Sequence, residues 1–413
     1  MTLNLPPTIH PLARAVADAG GRLYVVGGGV RDHHLGLRAK DIDLEVHGLE
    51  ADEVRVILQR FGPAKEVGKS FGVFKLRADK QEIDVALPRT AARDTTAPKV
   101  IGDPHLGIQE ATRRRDLTLN ALLYDILDER IIDCHGGLED MAAGLLRECA
   151  PDTFQEDPLR ALRAVRFAAV LGYRLAPSLR NLCAEADLSE VFGERMRSEL
   201  EKILLKAPRP GVALDLLKDI AQLDALFPGL SAASGPEHAA VLDRAAVHRA
   251  ALRGIHERYA LMAAALLHVG GPERAVGWMT GLRINRVRGA AIRQLVRSLL
   301  EVLPSVRPDL SDVDLRRLAD RAPLKLLLPL ADAVTPGNMA LMPRARALGV
   351  ADGPLPHLLT GGQLMGLGFK PGPMLGRTLA HLRAAQLEGR LTARADAEVE
   401  ARRLLEAPAG EGL

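Results

Sequence analysis

The chain has 413 residues, of which 47% are hydrophobic and 26% charged, and this composition predicts a globular protein of about two to four domains and excludes a disordered or fibrous one. Aromatic residues make up only 3% of the sequence, which argues against large stacking platforms for single-stranded nucleic acid. The formal net charge of +3 is slight, so any basic surface must come from local clustering.

The N-terminal segment "MTLNLPPTIHPLARAVADAG" has no charged region followed by an apolar core and a cleavage site. No apolar run approaches the ~18 residues that a membrane-spanning helix needs, so we expect no membrane partner and a cytoplasmic location. The three cysteines (Cys134, Cys149 and Cys183) are odd in number and lack paired spacing. They predict neither a disulfide framework nor a zinc knuckle.

The pattern of elements changes near residue 145. Before it, helical periodicity at 50–61 separates short β-branched runs, namely "RLYVVGG", "DIDLEV", "VFKLRA" and "QEIDVAL". After it, Ala/Leu/Arg-rich helices are broken by Pro and Gly. The fold class predicted is an α/β (α+β) N-terminal head with a small mixed sheet, followed by an all-α neck, body and tail. Turn-rich stretches place these four domains at 1–145, 146–228, 229–351 and 352–413.

Two aspartates interrupt the second predicted strand. Asp41 and Asp43 are two positions apart, so they project from the same face of a strand and repel each other unless a cation lies between them. Mg²⁺ binds such carboxylates together with phosphate oxygens. Asp84 in "EIDVAL" would join them if its strand is a neighbour, and three carboxylates can hold two metal ions for phosphoryl transfer.

A glycine triplet at 27–29 lies between the first strand and a helix. Such a turn lets a triphosphate approach backbone N–H groups at a helix N-terminus. A glycine triplet or a D-x-D pair is common on its own. The two together, within about 15 residues after a strand, favour phosphate chemistry.

The stretch "GGGVRDHHLGLRAKDIDL" resembles the first signature of the bacterial and eukaryotic type of tRNA nucleotidyltransferases, and of the related bacterial poly(A) polymerases, in the polymerase-β-like superfamily. Four further signatures follow in order: "RRRDLTLNAL" at 113–122, "DCHGGLEDM" at 133–141, "EDPLRALRAVRFA" at 156–168 and "ERMRSE" at 194–199. The resemblance implies a nucleotidyltransferase in which Asp41 and Asp43 bind catalytic Mg²⁺ and Gly27, Gly28 and Arg31 lie close to the triphosphate.

The second signature offers contacts for a nucleotide. Arg114 and Arg115 suit phosphates, because a guanidinium makes charge-assisted hydrogen bonds. Asp116 and Asn120 are four positions apart, which predicts that they lie one helical turn apart and hold a ribose hydroxyl. Without the neighbouring motifs, "RRRD" would be read as a solvated cationic turn.

The fourth signature suits recognition of a base without a template. Asp157 and Arg160 are spaced i, i+3 on a helix predicted to open at a proline. Cytosine and adenine both present an amino group beside an acceptor, whereas guanine and uracil present a carbonyl there, so one Asp and one Arg accept CTP and ATP. The family assigns this role to the motif. Arg163 is a candidate for phosphates, and Glu194 and Glu199 are expected to orient these arginines. The alternative is ordinary ion pairing on a helix surface.

The segments "EHAAVLDRAAVHRA" and "RYALMAAALLHVGG" resemble the phosphohydrolase domain that some family members carry. The family's His-Asp pair is replaced by His268-Val269, so we expect a helical body without hydrolase activity, with His238 and His248 as weak remaining metal-site candidates. In the tail, "KPGPMLGR" places Lys370 and Arg377 at a predicted helix start, where they either contact RNA phosphate or belong to an ordinary amphipathic helix.

The sequence therefore predicts an enzyme that extends the 3′ end of tRNA with C and A from CTP and ATP, releasing pyrophosphate. The segment at 87–113 is shorter than the resemblance leads us to expect, and it lacks a glycine-rich centre. In the family this loop helps the switch from C to A addition, so CC-only and A-only enzymes stay open. The alternatives are a bacterial poly(A) polymerase and a catalytically silent RNA-binding protein. The oligomeric state is not indicated.

Overall fold

The structure is a computed structural model that describes residues 3–37, 42–67, 72–91, 100–287 and 289–406. Asp41 lies outside the described residues, as does part of the segment at 87–113 that the sequence analysis singled out. Within the described residues no helix is long and apolar enough to cross a membrane.

The strands lie mostly in the first third of the chain. Their bounds are β1 (Arg22–Val26), β2 (Asp43–His47), β3 (Ala64–Glu66), β4 (Val73–Ala78), β5 (Gln81–Ala86), β6 (Arg89–Ala91), β7 (Val100–Gly102), β8 (Leu123–Asp125), β9 (Arg130–Ile132), β10 (Leu145–Leu146), β11 (Arg174–Leu175), β12 (Arg286–Val287) and β13 (Ala290–Ala291). The four strands predicted from β-branched runs are β1, β2, β4 and β5, so that prediction is confirmed.

Helices dominate the rest of the chain, as predicted. Their bounds are α1 (Ile9–Asp18), α2 (Gly28–His34), α3 (Ala51–Gln59), α4 (Ile108–Arg113), α5 (Gly137–Ala142), α6 (Pro151–Gln155), α7 (Leu159–Leu171), α8 (Pro177–Glu185), α9 (Gly193–Lys206), α10 (Gly211–Asp219), α11 (Leu223–Leu226), α12 (Leu230–Ala233), α13 (His238–Arg249), α14 (Ile255–Leu267), α15 (Gly271–Gly281), α16 (Ile292–Val302), α17 (Asp312–Ala319), α18 (Leu324–Val334), α19 (Met342–Ala347), α20 (Gly361–Gly366), α21 (Pro373–Leu387) and α22 (Arg394–Glu406).

Seven strands form one mixed sheet in the order β3-β4-β5-β2-β1-β8-β9. Strand β2 pairs with β1 antiparallel and with β5 parallel. Side chains alternate between the two faces of a strand. One face carries fully buried aliphatic and aromatic residues and packs on α1 and α3: Leu23, Val25, Leu44, Val46, Phe74, Leu76, Ile83 and Val85. The predicted α/β head with a small mixed sheet is therefore confirmed.

The chain divides into two units, Met1–Leu200 with Leu216–Ala225, and Glu201–Asp215 with Leu226–Leu413. In the second unit α14 is buried along its length from Tyr259 to Leu267 and contacts α13, α16 and α18. A helix that is apolar all round belongs in a core. A separate apolar cluster forms around α20, α21 and α22. The predicted division into head, neck, body and tail stays a prediction.

Candidate active site

Two predicted site carboxylates project from neighbouring strands on the open face of the sheet. Asp43 and Asp84 are directly opposite each other in the parallel pair of β2 and β5, so the geometric condition set for Asp84 is met. Adjacent strands lie ~4.8 Å apart, and register partners project from the same face. Lys75 Nζ lies 3.3 Å from Asp84 Oδ1. Among the described residues no group of three His, Cys, Asp or Glu side chains clusters as a metal site.

The same face of β2 carries a buried acid that the sequence analysis missed. Glu45 is 7% exposed and accepts hydrogen bonds from His47 Nε2 at 3.0 Å and from Arg115 Nη2 at 2.9 Å. Burial raises the pKa of Glu45, but His47 and Arg115 outweigh it and leave that pKa below its ordinary value. Glu45 thus holds one of the arginines predicted to contact phosphate. The sequence did offer a signal for Glu45, because in "DIDLEV" it lies two positions after Asp43 and so projects from the same face of the strand.

The glycine turn has the geometry that a helix start close to the sheet requires. Gly27 has a φ of 67°, in the left-handed region that favours glycine, and α2 begins at Gly28. Arg31 of α2 donates to Asp32 Oδ1 at 2.8 Å through Nε and to Asn120 Oδ1 at 2.5 Å through Nη1. The second signature therefore contacts the first through Asn120.

Asp116 is a buried carboxylate whose two oxygens both accept hydrogen bonds. It is 7% exposed; its Oδ2 accepts from Arg163 Nε at 2.8 Å, and its Oδ1 accepts from Asn120 Nδ2 at 2.9 Å and from the Leu117 N–H. Burial raises the pKa of Asp116, but the charge of Arg163 and the hydrogen bonds from Asn120 and Arg163 leave it below its ordinary value.

The expected placement of Asp116 and Asn120 on one α-helix is wrong. Helix α4 ends at Arg113, Asp116 lies in the bend that follows, and Asn120 ends a 3₁₀ turn that begins at Thr118. The two side chains meet directly because this bend folds the chain back. Motif spacing alone does not distinguish such a bend from a helical turn.

The third signature supports this bend. Thr118 Oγ1 donates to the buried Asp140 Oδ2 at 2.8 Å. The backbone of Gly137 approaches that of Thr118 so closely that a Cβ at Gly137 would lie 2.4 Å from the Thr118 carbonyl oxygen. Glycine is therefore required at this point of α5, and the third signature acts on the second through packing.

Three guanidinium groups surround the ring of Phe167, a buried residue of α7. The Cζ atoms of Arg166, Arg31 and Arg163 lie 3.8, 4.8 and 6.0 Å from its centroid. Attraction between cations and the ring face lets like charges lie close together. The buried carboxylate of Glu199 lies 2.5 Å from Arg166 and 3.9 Å from Arg163, and these contacts support its predicted role in orienting arginines.

Of the two residues predicted to read the base, Asp157 lies just before α7, whereas Arg160 is the second residue of α7. Asp157 precedes Pro158, the residue at the N-cap, and α7 begins at Leu159, so the expectation that Asp157 belongs to the helix is wrong. Asp157 instead accepts from the Leu159 N–H at 3.2 Å and from Arg195 Nη2 at 2.7 Å. Pro158 lacks an N–H, and the short helix α6 ends just before it.

Arg160 is fixed by two backbone carbonyls. Its Nη1 donates to Thr153 O at 2.5 Å and its Nη2 donates to Arg114 O at 2.7 Å. A guanidinium has five N–H donors, so these bonds leave others for a ligand. The side chain of Arg114 forms an ion pair with Glu156 at 2.5 Å. The second and fourth signatures are thus bonded to each other.

Some of these residues border one cleft of about 520 Å³ within the first unit. Other predicted site residues that the structure describes do not line it: Gly27, Gly28, Arg31, Asp116, Asn120 and Arg163. Its charged lining comes from β2, β5, β6, the second signature and the segment at the start of α7: Asp43, Glu45, Asp84, Arg89, Arg114, Arg115, Glu156, Asp157 and Arg160. Oxygen donors on adjacent strands beside a cleft suit a hard divalent cation. The cleft has room for a nucleotide, since ligand sites span roughly 300–1,000 Å³.

The histidines singled out in the second unit make contacts within the protein. His238 bonds to Leu266 O and Ser234, and its ring packs edge-on against that of His268, whose Nδ1 bonds to Ala265 O. His248 lies 2.9 Å from Asp332. These are packing and helix-bridging contacts. Lys370 and Arg377 are exposed on either side of the start of α21, and their RNA contact stays a prediction.

Residues 23–147 match the family described as the poly A polymerase head domain. The predicted family resemblance is confirmed. The Multifunctional CCA protein of Neisseria gonorrhoeae is 36% identical over 256 residues, which are 61% of this chain and 59% of that protein. The Multifunctional CCA protein of Pasteurella multocida is 39% identical over 222 residues, 52% of this chain and 51% of that protein. The matches thus span somewhat more than half the length of these relatives.

The fold is that of solved CCA-adding enzymes. The Bacillus stearothermophilus CCA-adding enzyme in complex with CTP aligns with a TM-score of 0.72 at 24% identity, over 97% of this chain and 99% of that chain. At this identity the likeness concerns the fold, and it extends well beyond the head domain.

Proposed function

We propose that this protein is a template-independent tRNA nucleotidyltransferase that adds C, A or both to the 3′ end of tRNA from CTP and ATP. The observation that carries the proposal is the cleft itself. It joins the carboxylates of Asp43 and Asp84 to the pair Asp157 and Arg160, so a nucleotide whose base meets α7 directs its phosphates towards the sheet. The names of the relatives support the same activity.

Asp43 and Asp84, with Asp41, would hold Mg²⁺, in keeping with the general use of divalent metal by nucleotidyltransferases. Such an ion lowers the pKa of a hydroxyl and neutralises charge that develops on phosphate oxygens. Asp43 and Asp84 would fix the position of the ion, because their strands are held in register by the buried face of the sheet.

The arginines would bind the triphosphate by exchanging partners. Arg31, Arg114, Arg115 and Arg163 all form ion pairs or hydrogen bonds with carboxylates of the protein. Phosphate oxygens offer the same charge-assisted bonds, so exchange keeps each guanidinium paired. Asn120 and Asp116 are the proposed ribose contacts, and Gly27 and Gly28 would lie against the phosphates.

Base choice would follow from Asp157 and Arg160. The Asp157 carboxylate accepts from the exocyclic amino group of cytosine or adenine, and the remaining N–H groups of Arg160 donate to the neighbouring ring acceptor. Guanine and uracil place a carbonyl oxygen against Asp157, so they meet repulsion instead of a hydrogen bond. No nucleic-acid template is needed for this discrimination.

One extension assay separates the possible activities. The protein is incubated with Mg²⁺, labelled CTP or ATP, and three tRNA substrates that end before the CCA sequence, after its first C or after its second C. Addition of CCA, of two C residues only or of one A only would each support the proposal and define its range. Long A tracts would favour a poly(A) polymerase. Tight tRNA binding with no addition would contradict the proposal and favour a silent RNA-binding protein.

A further inference from the structure

The row of residues that contains the two site carboxylates continues outwards across the sheet. Asp84 of β5 pairs with Lys75 of β4, and Lys75 pairs with Lys65 of β3, the edge strand. Register partners share a face, so both lysines lie on the same face as Asp43 and Asp84. Two strand spacings, about 10 Å, separate Lys65 from Asp84.

These lysines belong to a groove of about 920 Å³ on the outer part of the head. Four cations and one acid supply its charged lining: Arg60, Lys65, Lys75, Arg77 and Glu82. Of the four cations, Lys75 forms ion pairs, 2.5 Å from Glu82 and 3.3 Å from Asp84. Within the described parts of the chain, Arg60, Lys65 and Arg77 form no ion pair, and all three are exposed. The groove therefore presents uncompensated positive charge.

The position of this groove relative to the nucleotide cleft suggests its ligand. The proposed base-reading residues Asp157 and Arg160 line the nucleotide cleft together with Asp84, whereas the groove begins at Lys75, beside Asp84, and reaches the edge strand β3. Lys75 joins the two, because it lines the groove and contacts Asp84. An acceptor strand whose 3′ hydroxyl lies at Asp84 therefore has an open cationic path along β4 and β3.

We propose that this groove binds backbone phosphates of the 3′-terminal single strand of the RNA substrate, with Lys65 and Arg77 as the contacts that hold the strand while its end is extended. The proposal rests on the function proposed above. Arg77 and Lys75 are two positions apart on β4, about 7 Å, so the cations are spaced along both the strand and the sheet. Such phosphate contacts position an RNA without reading its sequence, as repeated addition to changing 3′ ends requires.

The test uses the double variant Lys65→Ala/Arg77→Ala of the full chain and leaves Lys75 intact, because Lys75 contacts a proposed metal ligand. The control is Arg14→Ala, an exposed arginine of α1 on the opposite face of the sheet. Binding of labelled tRNA that lacks CCA is measured by fluorescence anisotropy over a series of salt concentrations. Each lost contact with a single-stranded phosphate lowers the slope of log K against log salt by about 0.7.

We expect the double variant to bind the tRNA several-fold more weakly with a shallower salt slope, to have a raised KM for tRNA, and to keep the wild-type KM for CTP. Unchanged affinity and slope overturn the proposal. A raised KM for CTP with unchanged tRNA binding also overturns it, since the groove would then serve the nucleotide. If the double variant is unfolded, the single variants Lys65→Gln and Arg77→Gln decide by the same criteria. Wild-type protein that binds tRNA without extending it would refute the proposed function. The salt dependence of tRNA binding would still test whether the groove contacts the RNA.

Discussion

Asp43 and Asp84 are register partners on parallel strands, so two carboxylates are held side by side on one face of the sheet. Their repulsion is tolerated because the opposite face fixes the register. Leu44 and Val85, which follow the two acids, are register partners and are fully buried. A slip of one residue would turn these apolar side chains to the cleft and the acids to the core.

We predict that Asp84→Asn abolishes most nucleotide addition without harming the fold. Loss of one carboxylate removes several kcal/mol of charge stabilisation, which corresponds to a fall in kcat on the order of 10²–10³-fold. The unfolding temperature measured without metal should change little, because relief of the repulsion with Asp43 offsets loss of the exposed ion pair between Asp84 and Lys75. Stabilisation by added Mg²⁺ should shrink. A variant that is as active as wild type, or that Mg²⁺ stabilises equally, would contradict the metal role.

The ion pair between Asp116 and Arg163 is predicted to stabilise the folded protein, because Asp116 is buried. Arg163→Met would leave a buried carboxylate without its cation and should lower the free energy of unfolding by about 3–5 kcal/mol in urea denaturation. The matched control is Arg113→Met, because the ion pair of Arg113 with Asp152 is exposed and contributes little. Equal losses in the free energy of unfolding for the two variants would contradict a larger contribution from the buried ion pair.

Both buried acids, Asp116 and Glu45, also predict how stability changes with pH. Their pKa values are lower in the folded protein than in the unfolded chain. Their contribution is therefore complete above the ordinary carboxyl pKa of about 4 and is lost as the pH falls through the lowered values. Unfolding of wild type and of Glu45→Gln, followed by circular dichroism from neutral to acidic pH, should show a shallower loss of stability in the variant below about pH 5. Parallel curves would contradict a lowered pKa for Glu45.

The sequence predicted the parts of this site whose signal is local. Strands β1, β2, β4 and β5 were predicted because alternation and β-branched residues act over a few positions. The sequence could not predict that the strand of Asp84 lies next to that of Asp43, since strand order depends on long-range pairing. The contact of Glu45 with Arg115 joins positions 70 apart, and no periodicity reveals it. The bend after α4 was misread as a helical turn because both bring residues four apart together.

Arg195 is predicted to set nucleotide choice through Asp157. Its guanidinium donates to Asp157 Oδ2, so Arg195→Met leaves the Leu159 N–H as the one hydrogen-bond donor to that carboxylate among the described residues. A hydrogen bond to a charged group contributes about 1.5–3 kcal/mol, so discrimination against UTP and GTP should fall about tenfold or more. The ratio of kcat/KM for CTP over UTP measures this. Arg174→Met, which removes an exposed arginine from β11, is the control, and an equal change in both variants would refute a specific role.

Phe167 is predicted to couple the helix after the glycine turn to α7. Its ring lies under Arg31 of α2 and under Arg166 of its own helix, so it holds two guanidinium groups at a defined place. A double-mutant cycle with Phe167→Leu and Arg31→Met, measured by urea unfolding, should give a coupling energy of about 0.5–2 kcal/mol. Leucine keeps an apolar side chain in the site while removing the ring face.

The control cycle combines Phe167→Leu with Arg22→Met, because Arg22 pairs with Asp125 instead. These two effects should add within about 0.5 kcal/mol. If the ring positions Arg31 for the triphosphate, Phe167→Leu should also raise the KM for CTP more than it lowers kcat, since a misplaced guanidinium weakens nucleotide binding. A coupling energy no larger than that of the control cycle would contradict the cation–ring interaction, and an unchanged KM would restrict Phe167 to packing.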